Sequence, residues 1–183
     1  MKFVFRTDAS MRIGSGHVMR CLTFAEELKK YGAEITFITR AHEGNLNGLI
    51  SRKGIEVAEL PPTGTRSMLV GERGNDDYAD WLGVSKEQDA VESIKMLLKT
   101  SPEWLIVDHY GLDKVWEKAL RSHVKKIMVI DDLADRDHDC DLLLDQNLIA
   151  DMEHRYDNRV PSHCAHLLGP SYALLQSEYA ELH

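Results

Sequence analysis

Apolar residues in this chain fall into short, nearly unbroken runs, separated by stretches in which they recur every three or four positions. The runs "KFVFR" (2–6), "EITFI" (34–38), "IEVAEL" (55–60), "EWLIVDHY" (103–110), "KIMVID" (126–131) and "DLLLDQN" (141–147) read as strands. Between them, residues 17–31 place Val18, Cys21, Leu22, Ala25 and Leu28 on one helical face before Gly32 stops the helix. Further helices are expected at about 45–53, from Ser85 to Lys99, and at about 113–122. Ser85 is followed three residues later by Gln88, the spacing of a capping box. Strands that are apolar throughout must be covered on both faces, and strands alternating with helices make a parallel sheet. The expected fold is therefore α/β, a Rossmann-like parallel sheet with helices on both faces.

Two stretches break this rhythm. Residues 61–85, rich in glycine, proline and charge, have no sustained period, and loops that long are uncommon unless they serve a site. They are expected to form a flap on the substrate side. At the other end, "GPSYALLQSEYAELH" starts a turn and helix with little left to pack against. The expected organisation is one domain over 1–168, with 169–183 a linker or helix leading toward a second domain.

Composition narrows the class. With 183 residues, 43% hydrophobic and 28% charged, the chain is long enough for a packed core and polar enough for an ordinary globular domain. Its 22 basic and 30 acidic residues give a net charge of −8 without a basic cluster, which disfavours nucleic acid and anionic membranes as partners. No run is long enough for a membrane span or a signal sequence, so the expected compartment is the cytoplasm. Cys21, Cys140 and Cys164 are odd in number and widely spaced, and read as reduced thiols.

In an open α/β sheet, ligands bind beyond the carboxyl ends of the strands. Three such ends carry chemistry here: Arg6 and Asp8 leading into "RIGSGHVMRC" (12–21), Asp108-His109-Tyr110, and Asp145-Gln146-Asn147. Gly14 and Gly16 would let a backbone turn pass close to a ligand, and the following helix would aim unpaired N–H groups at an anion. The alternative is a tight turn whose glycines serve geometry only, since Met19 stands where a dinucleotide fingerprint needs glycine. His17, at the start of the helix, would be kept neutral by the dipole and so could take a proton from water, or else it caps the helix or faces solvent. Tyr110 offers a flat face and a donor to a sugar, while Asp108 is as readily a loop cap. The acidic run at 131–145 has Asp-x-Asp spacings that a magnesium-bound diphosphate could use, but aspartates in a turn region read more readily as solvated caps, and "SHCAH" (162–166) lacks the further ligands of a zinc site.

Taken in order, "FRTDASMRIGSGHVMRCLTFAEEL", "LIVDHYGLD", "DLLLDQN" and "LGPSYALL" resemble the UDP-sugar hydrolases of pseudaminic acid biosynthesis, over nearly the whole chain. These are related to spore-coat polysaccharide proteins and, more distantly, to MurG-like glycosyltransferases. The resemblance implies a GT-B-like pair of domains with the site in the cleft between them, of which this chain would be the N-terminal half. It implies that His17 is the general base that activates water for inverting attack on the anomeric carbon of a UDP-linked 2,4-diacetamido-2,4,6-trideoxy sugar, releasing UDP. Asp8, Ile13, Gly14, Ser15, Gly16, Arg20, His109, Tyr110 and Asn147 would contact that substrate. No cofactor or metal is implied, because UDP leaves readily without a second acid. A transferase that uses His17 on an acceptor hydroxyl, and a non-catalytic nucleotide-sugar binding module, are the competing expectations.

Overall fold

The computed structural model describes residues 1–62 and 78–175. Seven parallel strands form one sheet in the order β3-β2-β1-β4-β5-β6-β7. They are β1 (Lys2–Thr7), β2 (Glu34–Arg40), β3 (Glu56–Leu60), β4 (Trp104–Asp108), β5 (Lys126–Ile130), β6 (Leu142–Asp145) and β7 (Ala165–Leu168). The helices are α1 (Gly16–Lys30), α2 (Asn47–Arg52), α3 (Lys86–Thr100) and α4 (Lys114–Leu120).

Alternation of side chains along each strand divides the core in two. Phe3 and Phe5 of β1 join Val18, Cys21, Leu22 and Ala25 of α1 and Ile50 of α2 on one face. Val4, from the same strand, joins Ala90 and Leu97 of α3 and Trp116 and Leu120 of α4 on the other. The near-continuous apolar runs are thus explained by burial on both sides. The chain builds outward from β1 to β2 and β3, then crosses through α3 to β4 on the opposite side of β1. That reversal makes the β1/β4 boundary the topological switch point of the sheet, with Thr7 in register with Asp108.

Several expectations need adjustment. β7 was not expected: its residues are only half-buried or exposed, so no apolar run announces it. The helix at 45–53 is shorter, Asn47–Arg52, and the one at 113–122 ends as α4 followed by a 3-10 turn, Arg121–His123. Ser85 does cap α3, its hydroxyl accepting the Gln88 N–H at 3.2 Å. The Gln88 side chain turns instead to Glu92 at 3.0 Å, so only half of the capping box forms. Pro170–Tyr172 is a 3-10 turn. The expected flap and terminal helix fall largely on residues 63–77 and 176–183, outside the described residues. No helix among the described residues is long and apolar enough to cross a membrane.

Beneath the switch point lies a buried charge cluster on the α3 side. Arg6 of β1 donates to both oxygens of Asp89 (3.2 and 2.7 Å), and Arg40 of β2 donates to Asp89 at 2.7 Å. Trp116 of α4 donates its indole N–H to the same carboxylate at 3.0 Å. All three charged side chains are sealed from solvent.

Candidate functional site

At the carboxyl end of β1 the chain makes a compact turn. The Ser10 hydroxyl accepts N–H bonds from Arg12 (3.1 Å) and Ile13 (2.9 Å), and the Gly14 N–H returns to the Ser10 carbonyl at 2.9 Å. Gly14 has φ of +79°, a conformation that needs glycine. A Cβ on Gly14 or Gly16 would meet no described atom within 4 Å, so the space before the turn is open. Ser15 supplies no side-chain cap to α1, which leaves the first-turn N–H groups facing that space.

The turn delivers His17 to Asp108 at the end of β4. His17 Nδ1 and Asp108 Oδ1 are 2.6 Å apart. One helical turn on, Arg20 donates to both oxygens of the same carboxylate, Nε to Oδ2 and Nη2 to Oδ1, each at 2.6 Å. A third arm of Arg20, Nη1, reaches Asp132 Oδ2 at 2.9 Å, just past β5. The Tyr110 hydroxyl donates to the other Asp132 oxygen. Cys21 closes the group with a thiol contact to Asp108 Oδ2 at 3.4 Å.

This network assigns protons. Asp108 is a pure acceptor when ionised, so His17 presents Nδ1–H to it, and in the neutral ring Nε2 carries the free lone pair. Nε2 has no hydrogen bond to another described residue. Burial pushes the Asp108 carboxyl up, but the hydrogen bonds from Arg20 and His17 outweigh it and hold it at about 2. Burial and the bond to Asp132 push the Tyr110 phenol well above its ordinary value. The His17 ring is 7% exposed and stands edge-on to Tyr110 at 4.5 Å and to Trp81 at 6.1 Å. Tyr110 and Trp81 stack at 5.6 Å with Tyr78 against both. An acid-held imidazole with one open nitrogen, walled by rings, has the chemistry to accept a proton at that nitrogen.

The structure redistributes the expected substrate contacts. Gly14, Ser15 and Gly16 stand exposed at the turn, with Ile13 half-buried beside them. Arg20 and Tyr110 lie at His17, but their polar groups are committed to Asp108 and Asp132. Asp8 is not at the rim: it is fully buried, accepting the Arg40 N–H at 2.7 Å and pairing with Arg6 at 2.7 Å. His109 is likewise interior, 3% exposed. Its Nδ1 accepts the Gly111 N–H at 3.0 Å, which puts the proton on Nε2, 3.4 Å from Asp8 Oδ2. Burial holds the His109 imidazole below its ordinary value.

Asn147 follows β6, three strand spacings from β1, or about 14 Å at the usual separation, and its N–H closes a turn on Asp145 at 3.0 Å. Asp145 itself accepts from Tyr156 at 3.1 Å. The third strand end at the site is thus β5, through Asp132, and not β6. Asp132 was hidden in a run of aspartates most of which are ion-paired or hydrogen-bonded: Asp131 to Arg136 at 2.6 Å, Asp139 and Asp141 to Arg121 at 3.0 and 2.5 Å. No group of three or more His, Cys, Asp or Glu among the described residues is arranged to hold a metal ion. Sequence reasoning also missed Trp81, which sat in the unpatterned stretch, and weighed Asp108 only as a cap or ligand contact.

A doubly wound parallel α/β domain with its polar site at the switch point is the class defined by this geometry. No family model matches the chain. It is 31% identical over 180 residues to the UDP-2,4-diacetamido-2,4,6-trideoxy-β-L-altropyranose hydrolase of Campylobacter jejuni, covering 98% of this chain and 53% of that protein. It is 24% identical to the uncharacterized protein MJ1062 of Methanocaldococcus jannaschii, covering 98% of this chain and 32% of that one. The fold superimposes on Acinetobacter baumannii MurG with a TM-score of 0.53 at 11% identity, over 91% of this chain and 44% of that structure. The chain is a distant homologue of the Campylobacter hydrolase, spans about half its length, and has a MurG-like fold.

Proposed function

We propose that this chain carries the water-activating half of a UDP-sugar hydrolase, with His17 as general base. In this scheme Nε2 of His17 takes a proton from a water molecule as its oxygen attacks the anomeric carbon. The bond from that carbon to the diphosphate oxygen breaks, UDP departs with the bonding electrons, and the anomeric centre inverts. Asp108 holds the Nδ1–H tautomer and stabilises the imidazolium that forms, acting as a positioning residue. The open glycine turn and the uncapped start of α1 suit an anionic diphosphate. Similarity to the Campylobacter hydrolase supports a UDP-linked diacetamido deoxy sugar as the substrate class.

The observation that carries the proposal is the 2.6 Å contact between His17 Nδ1 and Asp108, which leaves Nε2 available as a base. The test is UDP release from the altropyranose nucleotide in water enriched in heavy oxygen, by the protein containing this chain and by its His17→Asn variant. Label in the free sugar, absent from UDP, with the reaction lost in the variant, is the expected result. Label in UDP would place the attack at phosphorus and overturn cleavage at the anomeric carbon, and full turnover by the variant would remove His17 from the mechanism. Transfer of the sugar to an added acceptor in preference to water would make the protein a transferase.

A further inference from the structure

We propose that Cys140 and Cys164 form a thiol modification site, which closes to an intramolecular disulfide on reaction with a low-molecular-weight disulfide of the glutathione type. All three cysteines are free, and the Cys140 and Cys164 sulfurs lie 3.5 Å apart. Their backbones are pinned side by side at the amino ends of β6 and β7. The Asp141 N–H donates to Ile127 at 2.8 Å, and the Ala165 N–H donates to the Asp141 carbonyl at 3.0 Å. A disulfide needs about 2.05 Å between sulfurs, so closure requires roughly 1.5 Å of side-chain movement with the ladder intact.

The two thiols differ in access, which sets the order of events. Cys164 is half-buried and Cys140 is sealed. Arg121 brackets the pair, donating to the Asp139 carbonyl and the Asp141 carboxylate at 2.5 Å each, and its charge favours thiolate. Asp141 and Glu117 oppose it. The hydrogen bond from Cys140 draws the Cys164 thiol below its ordinary value. Cys164, as thiolate, attacks the small disulfide, forms a mixed disulfide and expels one thiolate. Cys140, sealed from solvent and held as the thiol by its contact with Cys164 and by burial, then attacks the Cys164 sulfur as its proton passes to the departing second thiolate. The protein dithiol is oxidised by two electrons and one small disulfide is reduced to two thiols.

Cross-linking would close the segment between positions 140 and 164. That segment carries Arg155, which donates to the Asp132 carbonyl at 2.6 Å, and Tyr156, which donates to Asp131 and Asp145. Oxidation therefore stiffens the edge strand β7 and the loop that buttresses Asp132, while leaving the carboxyl rim open.

Intact mass without reductant, after treatment with glutathione disulfide, tests this directly. The wild type should lose the mass of two hydrogen atoms and keep one thiol, the buried Cys21, alkylatable after unfolding in denaturant. Cys140→Ser should stop at a glutathione adduct on Cys164, and Cys164→Ser should take up nothing; Cys140→Ala serves if the serine variant does not fold. Hydrogen exchange in Ala165–Leu168 should slow several-fold in the oxidised protein. A wild type that keeps three thiols, accumulates the mixed disulfide, or cross-links between chains overturns the proposal.

Discussion

Arg20 and Asp108 meet in two parallel hydrogen bonds, Nε to Oδ2 and Nη2 to Oδ1, both 2.6 Å long. A carboxylate gripped in this way stays ionised, so it cannot take the proton from His17 and instead keeps Nδ1–H pointed at itself. Replacing Asp108 with Asn presents an amide where the acceptor stood and favours the wrong tautomer. The expected outcome is a fall in kcat of about 10²- to 10⁴-fold with little change in KM. Steady-state UDP release measures it, and equal loss in both parameters would point to a damaged fold instead.

The same carboxylate makes stability depend on acid. Its folded value of about 2 lies below the ordinary aspartate value, so its contribution is present above about pH 4 and is lost as pH falls toward 2. Because the group is fully buried, the difference is on the order of 2 kcal/mol. Urea unfolding of wild type and Asp108→Asn should therefore show a stability gap that narrows by about that amount between pH 5 and pH 2. A gap constant with pH would mean that the carboxylate is not stabilised by folding.

Gly14 and Gly16 separate backbone geometry from ligand access. Gly14 sits at a φ of +79°, so Gly14→Ala forces a side chain into the left-handed region at a cost of about 1 kcal/mol. Gly16 has no positive φ, and an added Cβ meets no described atom within 4 Å. Gly16→Ala should leave the melting temperature within about 2 °C of wild type yet raise KM by occupying the approach proposed for the diphosphate. Thermal melts paired with kinetics on both variants check the contrast. A Gly16→Ala protein with unchanged KM would place the diphosphate elsewhere.

How much of this could be read from the sequence depends on range. The strands at 2–6, 34–38 and 126–131 announced themselves because both faces are buried, whereas β7, half exposed with His166 at its centre, carried no such run. His17 was visible because a glycine turn followed by a helical pattern is a local signal. Its pairing with Asp108 was not, because the two residues lie 91 positions apart with two other strands between them. Asp8 and His109 went astray for a related reason. Position at a strand end does not reveal whether a side chain faces the rim or the interior, and here Arg6 and Arg40 draw Asp8 inward.

That interior cluster yields the sharpest test of the fold itself. Asp89 is fully buried and accepts from Arg6, Arg40, Trp116 and Ser93, so one carboxylate bridges two guanidinium groups that have no solvent. Glu92 shares Arg40 at 2.8 Å but does not touch Arg6. Asp89→Ala leaves Arg6 with Asp8 alone and breaks the link between β1, β2 and α3. Removing one partner of a buried pair typically costs about 3–5 kcal/mol, because the remaining charge is left uncompensated. Urea unfolding followed by circular dichroism should show a loss of that size, and Asp89→Asn, which keeps shape and one acceptor, should lose less. A loss near zero in the alanine variant would mean that water enters the cluster and solvates the arginines, so the sheet's switch point is not held by charge.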